Sequence, residues 1–217
     1  MKYIIFDFGK VLGYPITGAW FITPKFLELV HDIDLDILKD SISKNKSLVK
    51  DDLPIKNLEE EYDMFLRFYS NVLEDLGIEK ELSKEIAYDK VYNNSEYKLY
   101  DDVIDTLTSL KENYTLLMLT DNFPSIINYL KHAGIYELFD KVYVSSICET
   151  SKKEDKFFDM VIDDYDIKIG EALFIDDFEN NLDLGYKKGF KPIMLDRENK
   201  KESKYERINN LDELEVK

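Results

Sequence analysis

Five short runs, at residues 3–6, 116–119, 142–144, 172–175 and 192–195, are almost wholly apolar. Together they constrain this chain more than any other feature. A strand that carries no polar alternation is buried on both faces, as in a parallel sheet with helices above and below it. Helical patterns separate the last four runs. Ile126, Ile127, Leu130 and Ala133 recur at helical spacing, with Gly134 placed to end that helix. Phe157, Phe158, Val161, Ile162 and Tyr165 repeat the pattern, and Leu182, Leu184 and Tyr186 form a shorter one ended by Gly189. Strands alternating with helices predict an α/β fold with a Rossmann-like, doubly wound parallel sheet.

The stretch between the first two runs breaks this alternation. From about residue 15 to residue 95 the pattern is helical throughout. One apolar face comprises Phe26, Leu29, Val30 and Ile33. A longer one runs from Leu58 to Leu76, with Glu59, Glu60 and Glu61 in its first turn, where the helix dipole favours anions, and Gly77 after its end. A further helix over Val103, Ile104, Leu107 and Leu110 leads back into the second run. The expected organisation is a catalytic core of residues 1–14 and 96–217 and a helical cap of residues 15–95. The charged stretch from Asp196 to Arg207 reads as a solvated loop.

Composition removes whole classes of function. With 45 acidic and 29 basic residues among 217, the net charge is −16. That argues against nucleic-acid or anionic-membrane partners, which need basic surfaces. One cysteine, Cys148, excludes a disulfide framework and a cysteine zinc site. The opening apolar run stops at Asp7, too early for a signal peptide, and no stretch is long enough to span a membrane. A cytoplasmic protein is the expectation.

Ligands of open α/β sheets bind beyond the carboxyl ends of the strands. The residues there are Asp7 to Leu12 after the first run, Thr120-Asp121-Asn122 after the second, Ser145-Ser146 and then Lys152-Lys153 after the third, and Asp176-Asp177 after the fourth. Three carboxylates crowded at one edge repel unless a cation joins them, and a hard divalent ion, most simply Mg²⁺, suits oxygen ligands. A lysine and a threonine beside that ion suit a phosphate.

This order of motifs resembles the haloacid dehalogenase-like (HAD) hydrolase superfamily, in the branch with a helical cap after the first strand. The motifs are Asp7-Phe8-Gly9-Lys10-Val11-Leu12, Thr120 closing an apolar strand, Lys152 (with Lys153 as second choice) ahead of a helix, and Asp176-Asp177 followed by Asn181. The resemblance implies that Asp7 is a nucleophile forming an aspartyl-phosphate, that Asp7, Asp176, Asp177 and the Gly9 carbonyl hold Mg²⁺, and that Thr120 and Lys152 bind phosphoryl oxygens. It implies a phosphatase acting on a small phosphorylated metabolite such as a sugar phosphate. Asn181 is either a helix cap or a support for the acidic pair.

One departure is plain. The family's acid-base carboxylate, two residues after the nucleophile, is Gly9 here. Tyr14, a cap residue, a water or the substrate would have to supply the proton. Lys10 stands where glycine or asparagine is commoner, which predicts strain in that loop. In the cap, Lys44, Lys46, Lys50 and Arg67 read as solvated residues that could touch substrate. The rival readings are a haloacid dehalogenase, which lacks the acidic pair, and a weakly catalytic binding protein, which the loss at Gly9 favours. A phosphomutase would need the missing acid. A signalling receiver domain would carry its acidic pair after the first strand.

Overall fold

The computed structural model describes residues 1–50 and 54–216. In chain order the elements are β1 (Tyr3–Phe6), β2 (Gly13–Pro15), α1 (Pro24–Leu29), α2 (Leu35–Asn45), α3 (Leu58–Asp75), α4 (Leu82–Tyr92), β3 (Tyr97–Leu99) and α5 (Val103–Lys111). There follow β4 (Thr115–Thr120), α6 (Ser125–His132), β5 (Lys141–Val144), α7 (Ser145–Cys148), α8 (Asp155–Tyr165), β6 (Ala172–Asp176), α9 (Glu179–Lys187), β7 (Lys191–Leu195) and β8 (Glu206–Ile208).

Six strands form one parallel sheet in the order β5-β4-β1-β6-β7-β8. β1 lies at its centre, with Phe6 beside Met118 of β4 and Ile175 of β6. The chain runs outward from β1 to one edge, then returns to build the other half. The reversal falls between β1 and β6, the place where doubly wound sheets open a crevice. All five apolar runs are strands of this sheet, and the fold is the expected α/β one.

Alternation along each strand divides the core. Ile4 and Phe6 face a layer that includes Leu107, Ile126 and Leu130 of α5 and α6, whereas Ile5 faces Phe157, Phe158 and Leu182 of α8 and α9. The helices α1 to α4 pack around their own cluster, including Phe26, Leu38, Phe65, Phe68, Val72 and Ile86. Their starts carry the expected chemistry: Thr23, Asp34 and Asn57 accept backbone N–H groups at the starts of α1, α2 and α3. α1 is shorter than its apolar face suggests, because Asp34 caps a new helix just beyond Ile33.

Three strands have no counterpart among the apolar runs. β2 and β3 pair antiparallel, Tyr14 with Lys98, in a two-stranded ribbon that brackets α1 to α4 in the chain. β8 overlaps the end of the charged stretch expected to be a solvated loop. That stretch is anchored: Asp196 is buried and accepts the Lys201 N–H at 2.6 Å. Arg197 donates to Asp102 at 2.5 Å and to the Val11 carbonyl at 2.7 Å, and its guanidinium lies 4.1 Å from the centre of the Tyr100 ring. The stretch is a largely exposed loop up to residue 205, as expected, but ion pairs and hydrogen bonds pin it at Asp196, Arg197 and Lys201.

Glu61 also departs from its local reading. It is a first-turn residue of α3, yet it is buried and accepts from the Ser125 backbone N–H at 2.7 Å and from the Ser125 hydroxyl at 2.5 Å. The inserted helices are thereby tied to the start of α6, and Phe123 enters their cluster against Phe65. Burial pushes the Glu61 carboxyl up, while Lys90 and the Ser125 bonds pull it down. Charge-assisted bonds of this kind contribute up to about 3 kcal/mol. Glu61→Ala is expected to lower unfolding stability by about 3 kcal/mol in urea titrations, and Glu61→Gln by less. No loss in the alanine variant would show that this tie is energetically idle.

Candidate functional site

The crevice at the carboxyl ends of β1, β4 and β6 is a cleft of about 1150 Å³. Asp7 follows β1 directly, Thr120 is the last residue of β4, and Asp176 is the last residue of β6. Asp7, Gly9, Thr120, Lys152, Asp177 and Asn181 all line the cleft, and Asp176 lies behind, fully buried.

Lys152 organises the floor. Its side chain is 3% exposed, and its Nζ lies 2.6 Å from Asp7 Oδ1 and 2.8 Å from Asp176 Oδ2. Its backbone N–H donates to Asp121 at 2.9 Å, which fixes the loop between α7 and α8 to the end of β4. Lys153 also lines the cleft, and its backbone N–H donates to the Ser151 hydroxyl. Asp176 further accepts the Phe178 N–H at 2.8 Å and the Asn181 amide at 3.1 Å. Asn181 thus lies within α9, donating to Asp176 of the acidic pair, and the cap of that helix is Phe178. Beside Thr120, Ser145 and Asn122 hold their loops together, with the Asn122 N–H donating to the Ser145 hydroxyl at 3.0 Å.

Asp7, Asp176 and Asp177 each present an oxygen within 4.8 Å of the others. Lys152 answers two of these charges, and Lys201 pairs with Asp177 at 2.8 Å. Burial pushes the Asp7 carboxyl up to about 7. Lys152 opposes that rise, while Asp176 and Asp177 add to it. Lys152 itself is held far above the ordinary lysine range: burial lowers it, but Asp176, Asp7 and Asp121 outweigh burial. The donor set is entirely oxygen, with excess negative charge on a buried floor, and it fits a hard divalent cation.

The loop after β1 is strained as its sequence suggests. Lys10 adopts φ +58°, in the left-handed region, and its N–H donates to the Gly13 carbonyl at 2.7 Å. Gly13 is required by packing, since a Cβ there would lie 2.5 Å from the Phe8 ring. At Gly9 the neighbour is Trp20, whose ring would stand 3.3 Å from an added Cβ. A side chain at position 9 would therefore start against the Trp20 ring.

Several sequence expectations fall outside this cleft. Tyr14, a candidate proton donor, lies on β2 against Tyr100, with ring centres 4.7 Å apart, and does not line the cleft. Of the four basic residues expected in the cap, Lys46 and Lys50 line it and Lys44 and Arg67 do not. Trp20, Phe21 and Tyr97 line it unanticipated, and Lys201 reaches the acidic pair from the charged stretch. The only sequence signal for Trp20 was that it is the chain's single tryptophan.

In metal-free protein Asp7 is expected to titrate with a midpoint near 7. Added Mg²⁺ should move that midpoint down, because a cation favours the charged carboxylate. Carbon-13 NMR of labelled aspartate reads both. A midpoint in the ordinary aspartate range, unmoved by Mg²⁺, would contradict this electrostatic description.

Residues 1–185 match the haloacid dehalogenase-like hydrolase family, and the chain belongs to that family. No curated protein sequence matches it. Among solved structures, it is similar to the Bacillus subtilis HAD-hydrolase YfnB bound to magnesium, at TM-score 0.71 and 17% identity, covering 98% of this chain and 96% of that one. A 2-haloacid dehalogenase from Pseudomonas syringae pv. Tomato aligns at TM-score 0.67 and 15% identity over 98% and 95% of the two chains. A HAD phosphatase from Thermococcus onnurineus aligns at TM-score 0.60 and 18% identity over 98% and 95%. At these identities the likeness speaks for the fold. Among the described residues no helix is long and apolar enough to cross a membrane.

Proposed function

We propose that this haloacid dehalogenase-like hydrolase is a Mg²⁺-dependent phosphatase of a small phosphorylated metabolite, with Asp7 as nucleophile. The observation that carries the reading is the trio Asp7, Asp176 and Asp177 around Lys152. A dehalogenase displaces halide from carbon and needs no cation, so the trio's excess negative charge would hinder its substrate's carboxylate. A phosphoryl group with its cation turns the same charge to use. The structural likeness to a magnesium-bound hydrolase and to a phosphatase supports this reading, and the likeness to a dehalogenase names its rival.

In this reading residues 15–95 are a cap over a core of residues 1–14 and 96–217. Asp7, Asp176, Asp177 and the Gly9 carbonyl would hold Mg²⁺, which when bound would neutralise phosphoryl oxygens and draw Asp7 toward its charged form. An Asp7 carboxylate oxygen attacks phosphorus as the bond from phosphorus to the ester oxygen breaks, and the alkoxide leaves. Water then attacks phosphorus, releasing phosphate and regenerating the Asp7 carboxylate. Thr120 and Lys152 bind the phosphoryl oxygens. Lys152 uses two of its three N–H donors on Asp7 and Asp176, which leaves one for substrate.

No side chain stands at position 9 to protonate the leaving alkoxide. General acid catalysis is worth on the order of 10²- to 10⁴-fold. Esters whose alcohols leave as stable anions lose least without it, which makes p-nitrophenyl phosphate the suitable first probe.

Hydrolysis of p-nitrophenyl phosphate is expected to require Mg²⁺ and to stop on chelation with EDTA. Asp7→Asn should reduce it at least about 10³-fold, as loss of a nucleophile does, while circular dichroism stays native. Hydrolysis unchanged in EDTA would overturn the metal assignment. Activity of Asp7→Asn within a few-fold of the parent would overturn the nucleophile.

A further inference from the structure

The cleft reverses the charge balance of the protein around it. The whole chain carries 45 acidic residues against 29 basic ones, whereas the cleft is lined by six lysines and four aspartates. Each of those aspartates already has a partner. Asp7 has Lys152, Asp121 has the Lys152 N–H, Asp177 has Lys201, and Asp183 has Lys204 at 2.7 Å and the Tyr205 hydroxyl at 2.6 Å. Lys46 and Lys50, on the helical side of the cleft, have no ion pair among the described residues.

The turn that carries these two exposed lysines is held in place. They flank Val49, which is 3% exposed and packs in the cluster of α1 to α4. The Val49 N–H closes a turn onto the Lys46 carbonyl at 3.1 Å. The preceding helix α2 is pinned to α3 by Asn45, whose amide donates to Asp75 at 2.8 Å, and by the Ser41 hydroxyl on the Val72 carbonyl. The turn therefore presents two cations from a buried anchor into the cleft that holds Asp7. A protein of net charge −16 repels anions at long range, and unpaired cations on a cleft wall offset that repulsion locally. The cleft's volume, about 1150 Å³, exceeds what one phosphoryl group fills and leaves space for a substrate that spans both ends.

We propose that the substrate of this site is doubly anionic: besides the phosphoryl group at Asp7 it carries a second anionic group, carboxylate or phosphate, that Lys46 and Lys50 bind. This rests on the phosphatase reading for the first anion only. The second anion selects among metabolites through the cap, where charge rather than shape discriminates.

The test measures equilibrium binding to the Mg²⁺-loaded protein, by calorimetry. The probes are alkylphosphonates, which are not hydrolysed, in a series of increasing chain length ending in carboxylate, phosphonate or uncharged hydroxyl. At one chain length or more, the anionic tail is expected to bind at least about threefold tighter than the hydroxyl tail, the order two solvent-exposed ion pairs supply. Comparing the carboxylate and phosphonate tails identifies the second group. That ratio should fall toward one in Lys46→Gln/Lys50→Gln, and in the parent protein when salt is raised to about 0.5 M. A ratio near one at every length in the parent, or one unchanged in the double variant, would overturn the proposal. Tail-dependent binding in a protein that hydrolyses no phosphate ester would overturn the phosphatase reading alone.

Discussion

The Lys152 ammonium between Asp7 and Asp176 is the interaction on which the site depends. Without it, two buried carboxylates at adjacent strand ends would have to protonate or separate. With it, the two carboxylates are held side by side with a third, Asp177, beside them, and the remaining imbalance, which still raises Asp7, is what a divalent cation relieves. Asn181 and the Phe178 N–H add donors to Asp176, which fixes its orientation.

The sheet places these groups without special loops. β1 lies between β4 and β6, so three consecutive strands end together, and the residue at or after each end is Thr120, Asp7 or Asp176. The reversal of chain direction opens the crevice above them. The inserted helices enter from the β2–β3 ribbon and are tied to the core by Glu61 and Phe123. Trp20, Phe21, Lys46 and Lys50 are thereby added to a floor that the core supplies.

The central strands were legible because burial on both faces removes polar residues, leaving runs such as residues 116–119 with no other reading. β2, β3 and β8 were not. Each has three residues and lies outside those runs, and the tyrosine, lysine, glutamate and arginine among them leave no apolar signature. The same limit applies within the site. Asp7, Thr120 and Asp176 sit where apolar runs stop, so their positions could be read. Lys152 and Lys153 are neighbours in one loop, and only the tertiary path places the Lys152 ammonium between the two carboxylates. Glu61 looks like any first-turn glutamate until α6 is brought against it. Tyr14 is close to Asp7 in sequence, yet the ribbon carries it to Tyr100.

The most direct test of the central claim is to quench the protein in acid during turnover of p-nitrophenyl phosphate and locate any covalent adduct by mass spectrometry of its peptides. An Asp7 nucleophile with no acid-base at Gly9 predicts one phosphoryl group on the peptide containing Asp7, present with Mg²⁺ and absent with EDTA. Phosphate release with Asp7 unmodified, or with the phosphoryl group on another residue, would contradict it.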